Sequence, residues 1–154
     1  MSYLSIYLND HLAGAAGGVE LVRRLHASNR DDEVFGPPLA RLMEEIEAKR
    51  AALERLIDQL GISRSRLKPV GAWVLEKVGR LKLNGQLRGY SPLSRLLELE
   101  GLAMGLSGQL GLWQTLIELG LEQPGFDFER LAAETAEHRA TVEDLHRRAA
   151  TAIE

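Results

Sequence analysis

The chain has 154 residues, of which 45% are hydrophobic and 27% are charged, and its formal net charge is -3 at pH 7. These values are ordinary for a globular protein with one hydrophobic core, so the sequence predicts a single domain over residues 1–154. Because the chain has no cysteine, disulfides, thiol nucleophiles and thiolate metal sites are excluded. Its first residues, MSYLSIYLNDHL, lack the basic and apolar regions of a signal peptide, which predicts a cytoplasmic protein.

The first two predicted helices are amphipathic. Apolar residues recur at helical spacing over about 3–27 and again over about 38–60, which is typical of helices that bury one face. The stretch SNRDDEVFGPP separates them, and Pro38 suits the first turn of the second helix. Gly61 suits the position that follows a helix. We expect these two helices to form an antiparallel pair.

A long connection follows, from Gly61 to Ser91, and its spacing predicts a short helix over about 69–82. The connection is also basic, with seven Lys or Arg and one acid between Arg64 and Arg88, a local charge of +6. Since the whole chain carries -3, the remainder carries -9. The seven cations are Arg64, Arg66, Lys68, Lys77, Arg80, Lys82 and Arg88.

This charge asymmetry makes the basic connection a candidate site for a small anion or an acidic protein partner. The alternative is that its cations pair with acidic faces of the same bundle or of a second copy. Nucleic acid is not expected as a partner, because only Trp73 and Tyr90 offer stacking and the whole chain is acidic.

The third predicted helix, over about 92–119, has Ser91 as its N-cap, and the fourth, over about 127–152, has Asp127. Seventeen uncharged residues of the third helix, 101–117, approach the shortest length of a membrane span. Because the flanking helices are amphipathic, we expect a buried helix of a water-soluble bundle and no membrane span. Its expected core stripe is Leu99, Leu102, Leu106, Leu110, Trp113 and Ile117.

The opposite face of the third helix is rich in glycine and also without charge. Its residues are Gly101, Met104, Gly105, Gly108, Gly111 and Thr115. A helix face in water normally carries charge, so this pattern indicates a covered face. Two covers stay open, the connection through Val70, Trp73 and Val74, or a second copy of the chain. Of the two, we expect a homodimer.

Two antiparallel helix pairs joined by one long connection predict that the second and third helices are parallel. This helix order and these loop lengths resemble the ferritin-like superfamily. The resemblance covers nearly the whole chain. It implies an all-α, ferritin-like four-helix bundle whose long crossover contains a short extra helix. An up-and-down bundle with an extra fifth helix is the alternative.

The resemblance also implies a metal site, formed by single carboxylates from two helices and a Glu-x-x-His pair from each of the other two. The fourth helix offers one such pair, Glu143 and His146. In the second helix, Glu47 is followed three residues later by Arg50, whose guanidinium has no lone pair for a cation. We therefore expect neither a working metal centre nor a cofactor. The fallback ligands for iron or manganese are Glu47, Glu98, Glu143 and His146.

A buried ionic network is expected in place of the metal. Arg50 projects about 40° from the centre of the apolar stripe of the second helix, and a buried guanidinium needs carboxylate partners. The residues expected across from it are Glu20, Glu98 and His138.

No other catalytic pattern is present in the sequence, neither a Gly-rich phosphate loop after a strand nor a readable Ser, His and acid set. The sequence therefore predicts a non-catalytic, ferritin-like bundle that serves as an interaction or structural module and forms a homo-oligomer. The alternative function is that of a di-metal carboxylate oxidoreductase or a metal-storage protein.

Overall fold

The computed structural model describes residues 2–65 and 89–153. Within these two ranges the chain forms four α-helices and no strand, which confirms the predicted all-α class. The helices are α1 (Tyr3–Asn29), α2 (Gly36–Gln59), α3 (Pro92–Glu118) and α4 (Phe128–Ala150). The predicted short helix over 69–82 lies outside the described residues.

Side-chain caps explain where three of these helices begin. Ser2, Ser91 and Asp127 each accept a hydrogen bond from the backbone N–H three residues later, at the starts of α1, α3 and α4. Such caps satisfy N–H groups that have no partner inside the helix. Ser91 and Asp127 are the caps predicted from the sequence, and Ser2 is an additional one.

A tight turn joins α1 to α2. Asp32 Oδ1 accepts hydrogen bonds from the backbone N–H groups of Val34 and Phe35, at 2.8 and 3.0 Å. These two bonds hold the pKa of the Asp32 carboxyl below its ordinary value. Helix α2 then begins at Gly36, where a Cβ would lie 2.6 Å from the carbonyl oxygen of Arg30. The turn therefore requires glycine at that position.

Hydrogen bonds between helices establish that α1 and α3 are antiparallel. Tyr7, early in α1, donates to Thr115, late in α3, at 3.1 Å. Arg24, late in α1, donates to Glu98, early in α3, at 3.5 Å. The same number of residues separates the two contacts on each helix, so this register holds along the whole pair.

The other neighbouring helices are antiparallel as well. Along α1, Asn9 contacts Ser63, just after α2, and Arg23 contacts Glu47 of α2 at 2.6 Å. Along α2, Glu45 pairs with His138 and Lys49 with Glu134, both on α4. Along α3, Glu100 contacts His146 and Trp113 stacks on Phe128, both on α4. Helix α1 packs on α2 and on α3, α3 packs on α4, and α2 and α4 make the least contact. Since α2 and α3 are both antiparallel to α1, they point in the same direction.

The core consists of two apolar clusters stacked along the bundle. All four helices contribute to the first cluster, with Val22, Leu42, Leu99 and Val142 among its members. All four also contribute to the second, with Leu8, Leu53, Trp113 and Phe128 among its members. Between the clusters lie three buried polar residues, Lys49, Thr135 and His138.

Helix α3 buries a face that differs in part from the predicted stripe. Leu112 and Leu116 are fully buried, whereas Leu110 and Ile117 are only partly buried. Because α3 is apolar on all sides, the spacing of its apolar residues does not single out one face. No helix in the described part of the chain is long and apolar enough to cross a membrane.

Candidate functional site

A groove of about 430 Å³ opens between α1 and α3. Six glycines lie along its walls, Gly14, Gly17 and Gly18 from α1 and Gly101, Gly105 and Gly108 from α3. In the register set by the Tyr7–Thr115 bond, Gly14 lies level with Gly108 and Gly17 with Gly105. The floor is apolar, and Leu21, Leu106 and Ile46 contribute to it. Glycines of α1 therefore lie opposite glycines of α3, at positions where larger side chains of two packed helices would interdigitate.

Several glycines of α1 and α3 are not required by packing among the described helices. Within residues 2–65 and 89–153, a Cβ added at Gly14, Gly18, Gly105, Gly108 or Gly111 would meet no neighbouring atom within 4 Å. Alanine would therefore fit at all five positions, and it favours a helix by about 1 kcal/mol over glycine. Four of these positions, Gly14, Gly18, Gly105 and Gly108, line the groove, and the space that their missing side chains leave is part of it.

Polar groups lie at one end of the groove. The Tyr7 hydroxyl donates to Thr115 Oγ1, which in turn donates to the Gly111 carbonyl at 2.8 Å. The Tyr7 ring makes an edge contact with the His11 ring, with centroids 4.5 Å apart. Burial lowers the pKa of His11, against the opposing effect of Asp10. The groove therefore presents an apolar floor and, at neutral pH, an uncharged histidine.

The glycine face predicted on the third helix is divided between two environments. Gly101, Gly105 and Gly108 line the groove, and Thr115 contacts α1. Met104 does not line the groove, and 65% of its surface is exposed. The α1 half of the groove was not predicted, although three glycines in GAAGG, inside a 27-residue helix, are a readable signal.

The four fallback metal ligands lie apart from one another. Glu47 pairs with Arg23 on the α1–α2 surface, and Glu98 is buried beside α1. Glu143 is exposed next to Arg139, at 3.4 Å. The remaining ligand, His146, contacts Glu100 on α3 at 3.1 Å. Across residues 2–65 and 89–153, no three His, Asp or Glu side chains are arranged to hold a metal ion.

The predicted network of Arg50, Glu20, Glu98 and His138 is not formed. The Arg50 side chain is 38% exposed and pairs with Glu54 on its own helix at 3.3 Å. Glu20 is exposed on α1. Glu98 and His138 are both buried, but they lie at different helix–helix interfaces, or seams, of the bundle. Glu98 lies at the α1–α3 seam and His138 at the α2–α4 seam. The physical reason is rotation about α2, which directs Lys49 inward and Arg50 toward the surface.

Glu98 belongs to a polar cluster between α1 and α3. Its carboxylate accepts from Arg24, and the hydroxyl of Tyr90 bonds to the same carboxylate. Asn29 Nδ2 donates to the Tyr90 oxygen at 2.7 Å. Burial raises the pKa of Tyr90 to about 12. This cluster ties the start of the α3 segment to the end of α1, which is a structural role.

A second ionic cluster lies between α2 and α4. Lys49, with a side chain only 8% exposed, pairs with Glu134, and Arg130 donates to the same carboxylate at 2.8 Å. These two cations hold the pKa of Glu134 below its ordinary value. One turn along α4, His138 pairs with Glu45. The middle of the bundle therefore does contain an ionic network, but its buried cation is Lys49.

Only one member of the basic candidate site can be placed. Arg64 contacts Asp58 at 2.5 Å and Glu54 at 3.7 Å, both on α2. This cation is thus partly neutralised by the acidic end of α2. The other six, Arg66, Lys68, Lys77, Arg80, Lys82 and Arg88, lie outside the described residues.

Comparison with known proteins gives no relative. No family model, no curated protein and no solved structure matches this chain.

Proposed function

We propose that the protein is a non-catalytic, ferritin-like helical bundle that acts as an interaction module and pairs with a second copy of itself through the α1–α3 groove. The observation that carries this proposal is the set of open glycines along the groove. Glycine inside a helix lowers its stability, so a sequence that keeps several of them there needs a compensating contact.

Close approach of another backbone supplies that contact. Glycine lets a neighbouring main chain come nearer than any other residue does. Residues 101–117 carry no charge, so a partner surface can cover this part of α3 without desolvating an ion. Met104, exposed on the same stretch of α3, adds a flexible apolar side chain of the kind that adapts to a partner.

A second copy fits these features because it brings the same surface. Two-fold symmetry is the commonest arrangement of soluble oligomers, and it places identical patches against each other. The ferritin-like arrangement is supported by the antiparallel neighbours and by the parallel course of α2 and α3. The non-catalytic role is supported by the separation of the four fallback ligands.

Light scattering of the purified protein at high micromolar concentration tests the proposal. The expected mass is about twice 17.1 kDa. Gly105→Leu and Gly108→Leu should bring the mass back to that of one chain, since larger side chains hold the two helices apart, while circular dichroism still reports a helical protein.

Ala140→Leu is the matched control for these variants, because Ala140 is exposed on α4, away from the groove. It should leave the mass unchanged. A wild-type mass near 17.1 kDa at high micromolar concentration would overturn the self-association.

Metal analysis of protein purified without chelator tests the non-catalytic part separately. The expected result is no stoichiometric iron or manganese. Near-stoichiometric metal that is lost in His146→Ala would instead establish the di-metal oxidoreductase or metal-storage function.

A further inference from the structure

The seam between α2 and α4 differs from the other three seams of the bundle because its middle is polar. A cleft of about 570 Å³ opens there. Its charged and titratable lining comes from Arg41, Glu45 and Lys49 on α2 and from Glu134, Glu137 and His138 on α4. The apolar clusters lie above and below this level. Two contacts cross the seam here, Lys49–Glu134 and Glu45–His138.

The two ring nitrogens of His138 have unequal surroundings. Nε2 lies against the Glu45 carboxylate, whereas Nδ1 is buried and has no hydrogen-bond partner within residues 2–65 and 89–153. A neutral ring suits this site when Nε2–H donates to Glu45 and Nδ1 keeps only a lone pair. A doubly protonated ring would place a charged N–H in a buried position without an acceptor, which is costly.

We propose that His138 is a proton-operated latch, which holds α2 and α4 together while its ring is neutral and lets the cleft open when the ring takes up a second proton. The latch acts locally, because the two apolar clusters hold the ends of the bundle at either side of it. Opening would turn the His138 side chain toward water, where both ring nitrogens find hydrogen-bond partners.

The charged groups that act on the ring have opposing effects on its pKa, and Arg41 also lines the cleft. Burial lowers the pKa of His138 most, Glu45 raises it, Lys49 lowers it, and Glu134 and Glu137 raise it. Helix α3, packed on α4, adds no charge at this level, since residues 101–117 contain none. The result is a pKa below the ordinary value of 6.5.

The sign of the pH effect follows from that direction. Because the pKa of His138 is lowered in the closed state, the open state, with the ordinary value of 6.5, binds the second proton more readily. The contribution of His138 to the stability of the seam is therefore complete above pH 6.5. It is lost as the pH falls through the lowered pKa. The latch is therefore closed at neutral pH and opens on acidification.

Amide hydrogen exchange of the intact protein at pH 7.5 and pH 5 tests the latch, after correction for the chemical exchange rate. On acidification, peptides of α2 and α4 that contain Lys49 and His138 should lose protection, while peptides from the middle of α1 and α3 keep it. In His138→Gln, whose side chain does not titrate, the two pH values should give equal protection.

Two matched variants separate His138 from two other histidines, His146 and His11. His146→Gln removes a partly exposed histidine paired with Glu100, and His11→Gln removes the one at the α1–α3 groove. Both should keep the pH-dependent loss of protection at the α2–α4 seam. If His138→Gln keeps it too, or if the wild type shows none, the latch is overturned.

A titration of the wild-type histidine rings by NMR covers the case in which His138→Gln does not fold. It should show a midpoint for His138 below 6.5 and, at neutral pH, the tautomer protonated on Nε2. A midpoint at or above 6.5, or the other tautomer, contradicts the proposal.

Discussion

Two openings in the described part of the bundle, the α1–α3 groove and the α2–α4 cleft, lie on opposite sides and have opposite chemistry. The α1–α3 groove exists because side chains are missing, with glycine facing glycine above an apolar floor. The α2–α4 cleft exists because long charged side chains, Lys49 and Glu134 among them, occupy positions where shorter apolar ones would let the helices meet. Water and ions can fill the cleft, whereas the groove is best filled by another apolar surface.

This comparison shows how one bundle combines two kinds of seam without losing its core. Both openings border the same apolar clusters, yet neither contains a tight helix–helix contact. The remaining seams, α1 with α2 and α3 with α4, carry the closest packing, and they join helices that follow each other closely in the chain.

The largest expected effect concerns the buried pair of the cleft. Glu134→Ala should lower the free energy of unfolding by about 3 kcal/mol, because it leaves the buried Lys49 ammonium without its carboxylate. Urea unfolding at pH 7 measures this. Glu143→Ala is the matched control, since it removes an exposed carboxylate of the same helix, and it should change stability by less than about 0.5 kcal/mol.

Lys49→Met makes the comparison sharper. It removes the buried charge but keeps the length of the side chain, and Glu134 retains Arg130 as a partner. Replacing a buried charge by an apolar group is often neutral or stabilising, so its cost should be well below that of Glu134→Ala. Equal effects of Glu134→Ala and Glu143→Ala would show that the cleft does not contain a buried ion pair.

An intermediate effect is expected at the groove. Gly14→Ala and Gly108→Ala should each raise the free energy of unfolding of the single subunit by roughly 1 kcal/mol, because the new Cβ meets no atom of the described residues and alanine favours the helix. Unfolding at low protein concentration measures the effect on the subunit alone. At high concentration the same variants should weaken self-association.

Gly36→Ala is the control for which the opposite change in the free energy of unfolding is expected, since its Cβ would lie 2.6 Å from the Arg30 carbonyl oxygen. It should lower stability at every protein concentration. If Gly108→Ala resembles Gly36→Ala at low concentration, the groove is filled within one chain and the contrast between the two seams disappears.

The smallest effect is expected at Arg50. Because its side chain is 38% exposed and pairs with Glu54 on the same helix, Arg50→Ala should change the free energy of unfolding by less than about 0.5 kcal/mol. Urea unfolding measures it under the conditions used for Glu134→Ala. A decrease of about 3 kcal/mol in the free energy of unfolding would instead indicate that Arg50 belongs to a buried ionic network, as the sequence predicted.

The sequence predicted the helices well because caps and apolar spacing are local signals. The buried face of α2 was predicted less well near its middle. Its buried residues follow alternating steps of three and four, Leu39, Leu42, Ile46, Lys49, Leu53 and Leu56. Lys49 occupies a regular position of this stripe, but a charged residue is not expected among buried apolar ones. The spacing of the stripe alone places Lys49 in it and excludes Arg50. The two side chains are adjacent in sequence and project about 100° apart around the helix.

Thr135 and His138 continue the same pattern on α4, where Val142 and Leu145 follow at helical spacing. The sequence placed His138 inward correctly, but it did not identify Glu45 as its partner. Pairing across a seam depends on the register of two helices, which packing of the whole bundle sets. Neither composition nor periodicity within one helix contains that information.

The glycine groove was half predicted for a related reason. Absence of charge on α3 is visible in one helix, whereas the match of Gly14 with Gly108 requires the antiparallel register of α1 and α3. A groove formed by two helices therefore cannot be predicted from either helix alone.

The apolar lining of the α1–α3 groove has a thermal consequence. Covering apolar surface produces a negative change in heat capacity, and the resulting contact weakens on cooling. Association through this groove would therefore be cold-labile.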